Sequence, residues 1–320
     1  MVRIGILGAG AMGGMHAAAY AGLAGVEVAG VFSRNAERAR SVARICKAEA
    51  APTAEALIAD EDIDAIDVCL PSAQHPDVVV AALERGKHVF CETPMALSLD
   101  AATRMRDAAR KAGRLLQVGL LVRSISTYQH VKAIAEVGTH GRLLGLTTWR
   151  MGSYLHPGAP DHKAHYGDPT TELMTFDFDF AGWTMGRPTW LSAAGTAEVT
   201  ALLGYDDGRS ATIMASGLMP PGTPFSAGFR ALFEKAVFEL QQVFLDGPPR
   251  VTFTIAEGHA APRPIALSGD PYLAELHRFI NCIEGRADAA LLDADRAIEA
   301  LTLSVAAQSA LAARRTVAIG

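Results

Sequence analysis

RIGILGAGAMGGMH, residues 3–16, is the stretch whose reading decides the fold. Its first five residues, Arg3 to Leu7, form an apolar run too short for a helix and suited to a strand buried on both faces. Gly8, Gly10 and Gly13 then follow as G-x-G-x-x-G at the start of a helical pattern. In such a turn the first glycine permits the sharp bend, the second lets a pyrophosphate approach the main chain, and the third lets helix pack on strand. The helix start presents the free N–H groups of Ala11, Met12 and Gly13 and the positive end of the helix dipole. A Gly-rich turn can be merely structural. Placed at the head of a complete βαβ unit, this one predicts dinucleotide binding.

Working outward, short apolar runs alternate with amphipathic ones as far as Leu120. The strand candidates are RIGIL, VEVAGVF, IDAIDVCL, HVFCE and LLQVGL; Pro76–Arg85 and Leu99–Lys111 are among the helices between them. That alternation predicts an α/β fold with a doubly wound parallel sheet of Rossmann type at the N-terminus. After Leu121 the rhythm changes. A helix over Ile125–Val137 leads into RLLGLTTWRMG, TWLSAAGTAEV, RSATIMASGLM, FRALFEKAVFEL and RVTFTIA, each read as a β run in an open, mainly antiparallel sheet. Helices over Tyr272–Glu284 and Asp293–Ala313 follow. The expected division is 1–121 for the dinucleotide-binding domain and 122–320 for an α/β domain carrying substrate contacts and oligomerisation, with the C-terminal helices free to pack back on the first.

Composition supports two domains, since 320 residues exceed the roughly 100 to 200 of one. Half the residues are hydrophobic, 20% are charged, and the net charge of -5 carries no bias toward polyanions, so nucleic acid is not an expected partner. Apolar runs fall short of the roughly 18 residues of a membrane helix and the N-terminus shows no signal-peptide pattern. The expectation is a cytoplasmic protein without a membrane partner. Cys46, Cys69, Cys91 and Cys282 are scattered, with Cys69 and Cys91 in apolar strands as small buried hydrophobes. HPGAPDHKAH, residues 156–165, invites a zinc reading, but its proline and glycine prevent a regular helical histidine pair and no cysteine is near. No metal is expected. No G-x-S-x-G elbow suggests serine-nucleophile chemistry.

The second strand bears on which dinucleotide. An NAD site usually ends that strand with Asp or Glu for the ribose 2′-hydroxyl. Here stand Ser33 and Arg34, with Arg38 a turn later. A hydroxyl and a guanidinium hold a 2′-phosphate that a carboxylate would repel. NADP(H) is the preferred cofactor and NAD(H) a possible one.

LPSAQHPDVVVAALERGKHVFCETPMALSLDAA, residues 70–102, resembles the stretch after the third main strand in the Gfo/Idh/MocA oxidoreductases, with Pro71, Ser72 and His75 matching a T-P-N-x-x-H-like loop, then GKHV, then Glu92 and Pro94 flanking an E-K-P position. GLLVRSISTYQHVK and PYLAELHRFINCIEG resemble the family's linker helix and a C-terminal helix. The resemblance implies cofactor contacts from Leu70, Pro71, Ser72, His75, Glu92 and Thr93, a small-molecule substrate, and a homodimer or homotetramer. It implies an enzyme that moves hydride to or from a carbonyl or alcohol of a small sugar-like or cyclitol compound. Two positions depart from the family. Thr93 stands where the proton-handling lysine of E-K-P belongs, and a threonine hydroxyl is no general acid near neutral pH without a relay. Aligning ELMTFDFDFAGW with the family's D-x-G-x-H-x-x-D helix puts Glu172 on its first acid, Phe176 on its histidine and Asp179 on its last aspartate. Asp177 is adjacent but turned about 100° away. Thr93 and Asp179 therefore remain catalytic candidates for substrate contact. Candidate proton donors come from YLHPGAPDHKAHYGD, chiefly Lys163, His165 and Tyr166, with His156 and His162 beside them. Two other readings stay open: an already activated substrate such as an imine, and a non-catalytic NADP-binding regulatory or scaffold protein.

Overall fold

The computed structural model describes residues 1–153, 168–245 and 247–319. Along the chain come β1 (Val2–Leu7), α1 (Ala11–Ala21), β2 (Val26–Phe32), α2 (Ala36–Ile45), β3 (Glu49–Ala50), α3 (Ala54–Ala59), β4 (Ala65–Val68), α4 (His75–Glu84), β5 (His88–Cys91), α5 (Leu99–Ala112) and β6 (Leu116–Val118). Then come α6 (Ser126–Val137), β7 (Leu143–Met151), α7 (Pro169–Glu172), α8 (Met174–Met185), β8 (Trp190–Gly195), β9 (Val199–Gly204), β10 (Ser210–Ser216), β11 (Phe225–Phe233), β12 (Ala236–Phe244), β13 (Arg250–Glu257), β14 (Arg263–Pro264), α9 (Pro271–Ile283), α10 (Ala294–Ala313) and β15 (Val317–Ala318). Contacts divide the chain into two compact units, 1–124 with 269–298 and 125–268 with 299–320.

In the first unit six parallel strands lie in the order β3-β2-β1-β4-β5-β6. The order reverses beside β1, and in such sheets the crevice at that switch point, outside the strands' C-terminal ends, is where ligands bind. Ile4, Ile6, Val31, Val68, Val89 and Phe90 are buried in this sheet, as unbroken apolar strands covered on both faces must be. Helix starts follow local chemistry. The side chains of Asn35, Thr53 and Ser98 accept main-chain N–H groups at the starts of α2, α3 and α5, each worth about 1 kcal/mol. Leu276, Phe279 and Ile280 of α9 join the same core.

The second unit is built on a nine-stranded sheet, β14-β13-β12-β11-β7-β10-β9-β8-β15. Its pairs are antiparallel except β7 with β10, which run parallel. Its core centres on aromatic rings: Tyr128 of α6 packs edge-on to Phe180 at 4.7 Å and to Phe229 at 4.9 Å, with all three wholly buried. Each such aromatic, truncated to alanine, costs on the order of 3–5 kcal/mol.

The structure departs from the local sequence pattern at three places. TWLSAAGTAEV is not one run but most of a hairpin: Gly195, at φ +119°, turns the chain, and a Cβ there would collide with the Glu198 carbonyl oxygen. FRALFEKAVFEL likewise divides at Glu234 and Lys235 into β11 and β12. Cys69 lies just past the end of β4 and is half-buried among polar groups. Alternation of residue types does not register a turn of two or three residues, and the break falls where pairing partners dictate.

Candidate functional site

The glycine turn of the first unit separates into structural and open positions. Gly8 holds φ +118°, and a Cβ on it would strike the carbonyl of Cys69; a Cβ on Gly13 would strike the carbonyl of Gly8. Gly10 differs, because a Cβ there would meet no atom within 4 Å. Gly10 also caps α1 without any side chain accepting the first N–H groups, and the first turn of α1 carries no acidic residue. Gly10 and Ala11 are exposed and Met12 half-buried. The fold thus requires glycine at the first and third positions. The second is a main-chain cradle with unclaimed donors at a positive helix end, which fits a pyrophosphate.

At the end of β2, Ser33 is half-buried and its hydroxyl oxygen accepts from Asn35 N at 3.3 Å. Arg34 and Arg38 are exposed, and among the described residues neither guanidinium is hydrogen-bonded or ion-paired. Asn35 fixes the bend by accepting from Glu37 N and Arg38 N at 3.0 Å.

After β4, Leu70 and Pro71 are half-buried and Ser72 is buried. His75 is buried, with Nε2 2.6 Å from Leu70 O and Nδ1 3.0 Å from Pro94 O. Burial pushes its pKa down, so the neutral ring can donate to only one of those carbonyls at a time. His75 thus ties the loop after β4 to the loop after β5. Thr93 follows β5, joined to Pro94 by a cis peptide bond. Its hydroxyl donates to Gly119 O at 2.8 Å, and its N–H donates to Glu92 Oε2 at 3.2 Å. The Thr93 proton is engaged by the main chain, leaving the oxygen's lone pairs as acceptors.

Behind these strand ends lies a polar group that sequence reasoning missed. His16 of α1 has Nδ1 2.8 Å from Asp67 Oδ2 and Nε2 2.8 Å from Glu92 Oε1, the latter without hydrogen-bond alignment. The Cys69 thiol is 3.4 Å from Asp67 Oδ1. Burial works to lower the His16 pKa, but Asp67 and Cys69 outweigh it and the net direction is well upward. Glu275 of α9 is buried with neither oxygen hydrogen-bonded among the described residues, and burial, then the Glu92 charge, push its carboxyl well up. His16 lies three residues past the third glycine, yet nothing local distinguishes it from a helix-face histidine.

In the second unit, Asp177 of α8 is wholly buried and accepts from Arg150 Nε of β7 at 2.9 Å. Burial pushes its pKa up to about 6 against the pull of Arg150. The Arg150 guanidinium lies 4.7 Å from the Phe176 ring centre. Burial also pushes the Tyr128 hydroxyl up to about 12, opposed by Arg150. Asp179 and Glu172 are buried on the same helical stretch. Lys163, His165 and Tyr166, with His156 and His162, lie outside the described residues.

Against known proteins, a family model described as an oxidoreductase family with an NAD-binding Rossmann fold matches residues 2–120. An uncharacterized oxidoreductase, YrbE of Bacillus subtilis, is 33% identical over 201 residues, 61% of this chain and 57% of its own length. The inositol 2-dehydrogenase/D-chiro-inositol 3-dehydrogenase of Shouchella clausii is 39% identical over 189 residues, 58% of this chain and 53% of its own. The chain thus spans somewhat over half the length of the curated relatives it matches. Among solved structures, UDP-N-acetylglucosamine 3-dehydrogenase from Acidithiobacillus ferrooxidans superposes with a TM-score of 0.80 at 25% identity, over 97% of this chain and 98% of that one.

Proposed function

We propose, from the premise that residues 2–120 belong to the Gfo/Idh/MocA oxidoreductase family, that the chain is a dehydrogenase exchanging hydride between a nicotinamide dinucleotide and a CH–OH or C=O carbon of a small sugar-like or cyclitol compound. One observation carries the reading: the uncapped start of α1, with Gly10 open above it, at the switch point of a 3-2-1-4-5-6 sheet. The nucleotide, when bound, supplies or accepts the hydride. The chain's own part is to cradle the pyrophosphate on the N–H groups following Gly10 and to hold the strand ends. Thr93, its proton on Gly119 O, accepts a substrate hydroxyl rather than supplying the acid. Lys163, His165 and Tyr166 are the proposed acids, with Asp179 as a further proposed substrate contact.

NADP(H) is proposed over NAD(H), supported by Ser33 and by the guanidinium groups of Arg34 and Arg38, uncommitted among the described residues, where NAD sites carry a carboxylate. A homodimer or homotetramer is proposed through the face of the second unit's sheet that shows Leu202 and Leu232, residues 37% and 45% exposed. Sedimentation as a monomer at micromolar concentration would remove that part. A cytoplasmic location is proposed; among the described residues no helix is long and apolar enough to cross a membrane.

Fluorescence titration with NADPH and NADH, followed by turnover on cyclitol, sugar and nucleotide-sugar panels, tests the reading. Micromolar binding of one nucleotide and oxidation of at least one polyol are expected. No binding of either below millimolar would sink it, and tight binding without any turnover would favour the regulatory alternative.

A further inference from the structure

His16, Glu92 and Glu275 come from α1, the end of β5 and α9, all within the first unit. Each offers one ligand atom within 4.8 Å of the other two. Their exposures are 0%, 9% and 1%, so this is no solvated acidic patch. Two ligands of one ion at about 2.1 Å each can stand at most about 4.2 Å apart, so closing the trio on an ion needs a shift of less than about 1 Å.

The surroundings resemble a prepared donor set. His16 Nδ1 faces Asp67 Oδ2 at 2.8 Å, the carboxylate–histidine arrangement that fixes the tautomer of a metal-bound imidazole and turns Nε2 toward the ion. Nε2 is buried 2.8 Å from Glu92 Oε1, without an aligned hydrogen bond among the described residues. Glu92 is oriented through its other oxygen, which accepts from Thr93 N. Glu275 is the independent observation. Both its oxygens are buried and without partners among the described residues. As a carboxylate it lacks donors; as an acid it lacks an acceptor for its O–H. In either state it calls for a species the described residues do not supply.

We propose that the first unit binds one divalent transition-metal ion through His16 Nε2 and the carboxylates of Glu92 and Glu275, with Asp67 orienting the imidazole. One neutral imidazole and two carboxylates balance a double charge. A nitrogen with two oxygens suits Zn²⁺ or Mn²⁺ better than Mg²⁺ or Ca²⁺, which take oxygen ligands. The ion braces the glycine-turn helix against the strand end that carries Thr93, a structural role independent of the hydride chemistry.

The test uses the full chain without a polyhistidine tag, stripped with chelator, titrated with Zn²⁺ and with Mg²⁺ by calorimetry, and analysed for metal after gel filtration. About one Zn²⁺ per chain is expected, at least tenfold tighter than Mg²⁺ and weakened at least a hundredfold in Glu275→Gln. Zn²⁺ retained equally by Glu275→Gln would place it elsewhere and overturn the proposal. In case that variant fails to fold, anomalous diffraction at the zinc edge from crystals of the unaltered chain grown with Zn²⁺ gives a second answer. A peak between the three side chains supports the site, and a water there or a directly proton-bridged His16–Glu92 pair overturns it.

Discussion

The first unit's candidate site offers main-chain groups, whereas the second unit's buried polar groups are side chains. At the glycine turn the groups on offer are N–H donors at a helix start, and residue identity matters mainly through the absence of a Cβ. In the second unit a guanidinium from β7 and a carboxylate from α8 meet in a buried pair, with an aromatic ring under the guanidinium. Main-chain recognition tolerates change wherever backbone geometry is kept. A buried charge pair does not, because either partner left alone is a desolvated charge. The buried group around His16 falls between these cases: three carboxylates crowd one imidazole, and Glu275 accepts no hydrogen bond among the described residues.

The contrast breaks most sharply at Arg150. Arg150→Met strands Asp177 and should cost about 3–5 kcal/mol in urea unfolding at pH 8. The loss should shrink near pH 5, where Asp177 holds a proton. An equal loss at both values would mean that the charge pair is not its source. The glycine turn gives the next effect. Gly13→Ala drives a Cβ into the Gly8 carbonyl and should destabilise by roughly 1–3 kcal/mol or more. Gly10→Ala should leave thermal stability within about 1 kcal/mol yet weaken nucleotide binding at least about tenfold, since only the approach of a pyrophosphate requires glycine there. Equal destabilisation by the two variants would erase the distinction between structural and open positions.

A more gradual effect concerns pH alone. The folded state raises Asp177 from 3.8 to about 6, so its contribution is fully present below the lower value and lost as pH rises through the upper one. Stability should therefore fall by at most about 3 kcal/mol across that window, and Asp177→Asn should flatten this part of the profile. A profile that Asp177→Asn leaves unchanged would remove the assignment. Smallest is Arg34→Ala, expected to lower NADPH affinity by roughly three- to tenfold with NADH affinity unchanged, about the worth of one exposed charge-assisted contact. A parallel fall for both nucleotides would place Arg34 away from the 2′ position.

Legibility follows the same division. Strands β1, β2, β4, β5 and β6 could be read because burial on both faces leaves unbroken apolar runs. Gly8, Gly10 and Gly13 could be read because the turn's steric demands lie within six consecutive residues. In the second unit, alternation revealed strand content but not the breaks at Gly195 or at Glu234 and Lys235, where the hairpins turn. The resemblance located Thr93 as a substitution, but not that its proton is held by Gly119, a residue distant in sequence. Asp177 looked like a poor stand-in for a histidine; its pairing with Arg150 needed β7 and α8 to be packed together.

By itself, then, the sequence determined the nature of the first unit, the glycine cradle and the absence of an acid at the end of β2, because each is a short-range constraint on backbone conformation or charge. Only the tertiary structure decided which polar groups are committed and which are stranded. His16, Asp67, Glu92 and Glu275 are far apart along the chain, and only packing takes them out of water together. Desolvation, which makes their partners matter, arises from the fold and from no local pattern.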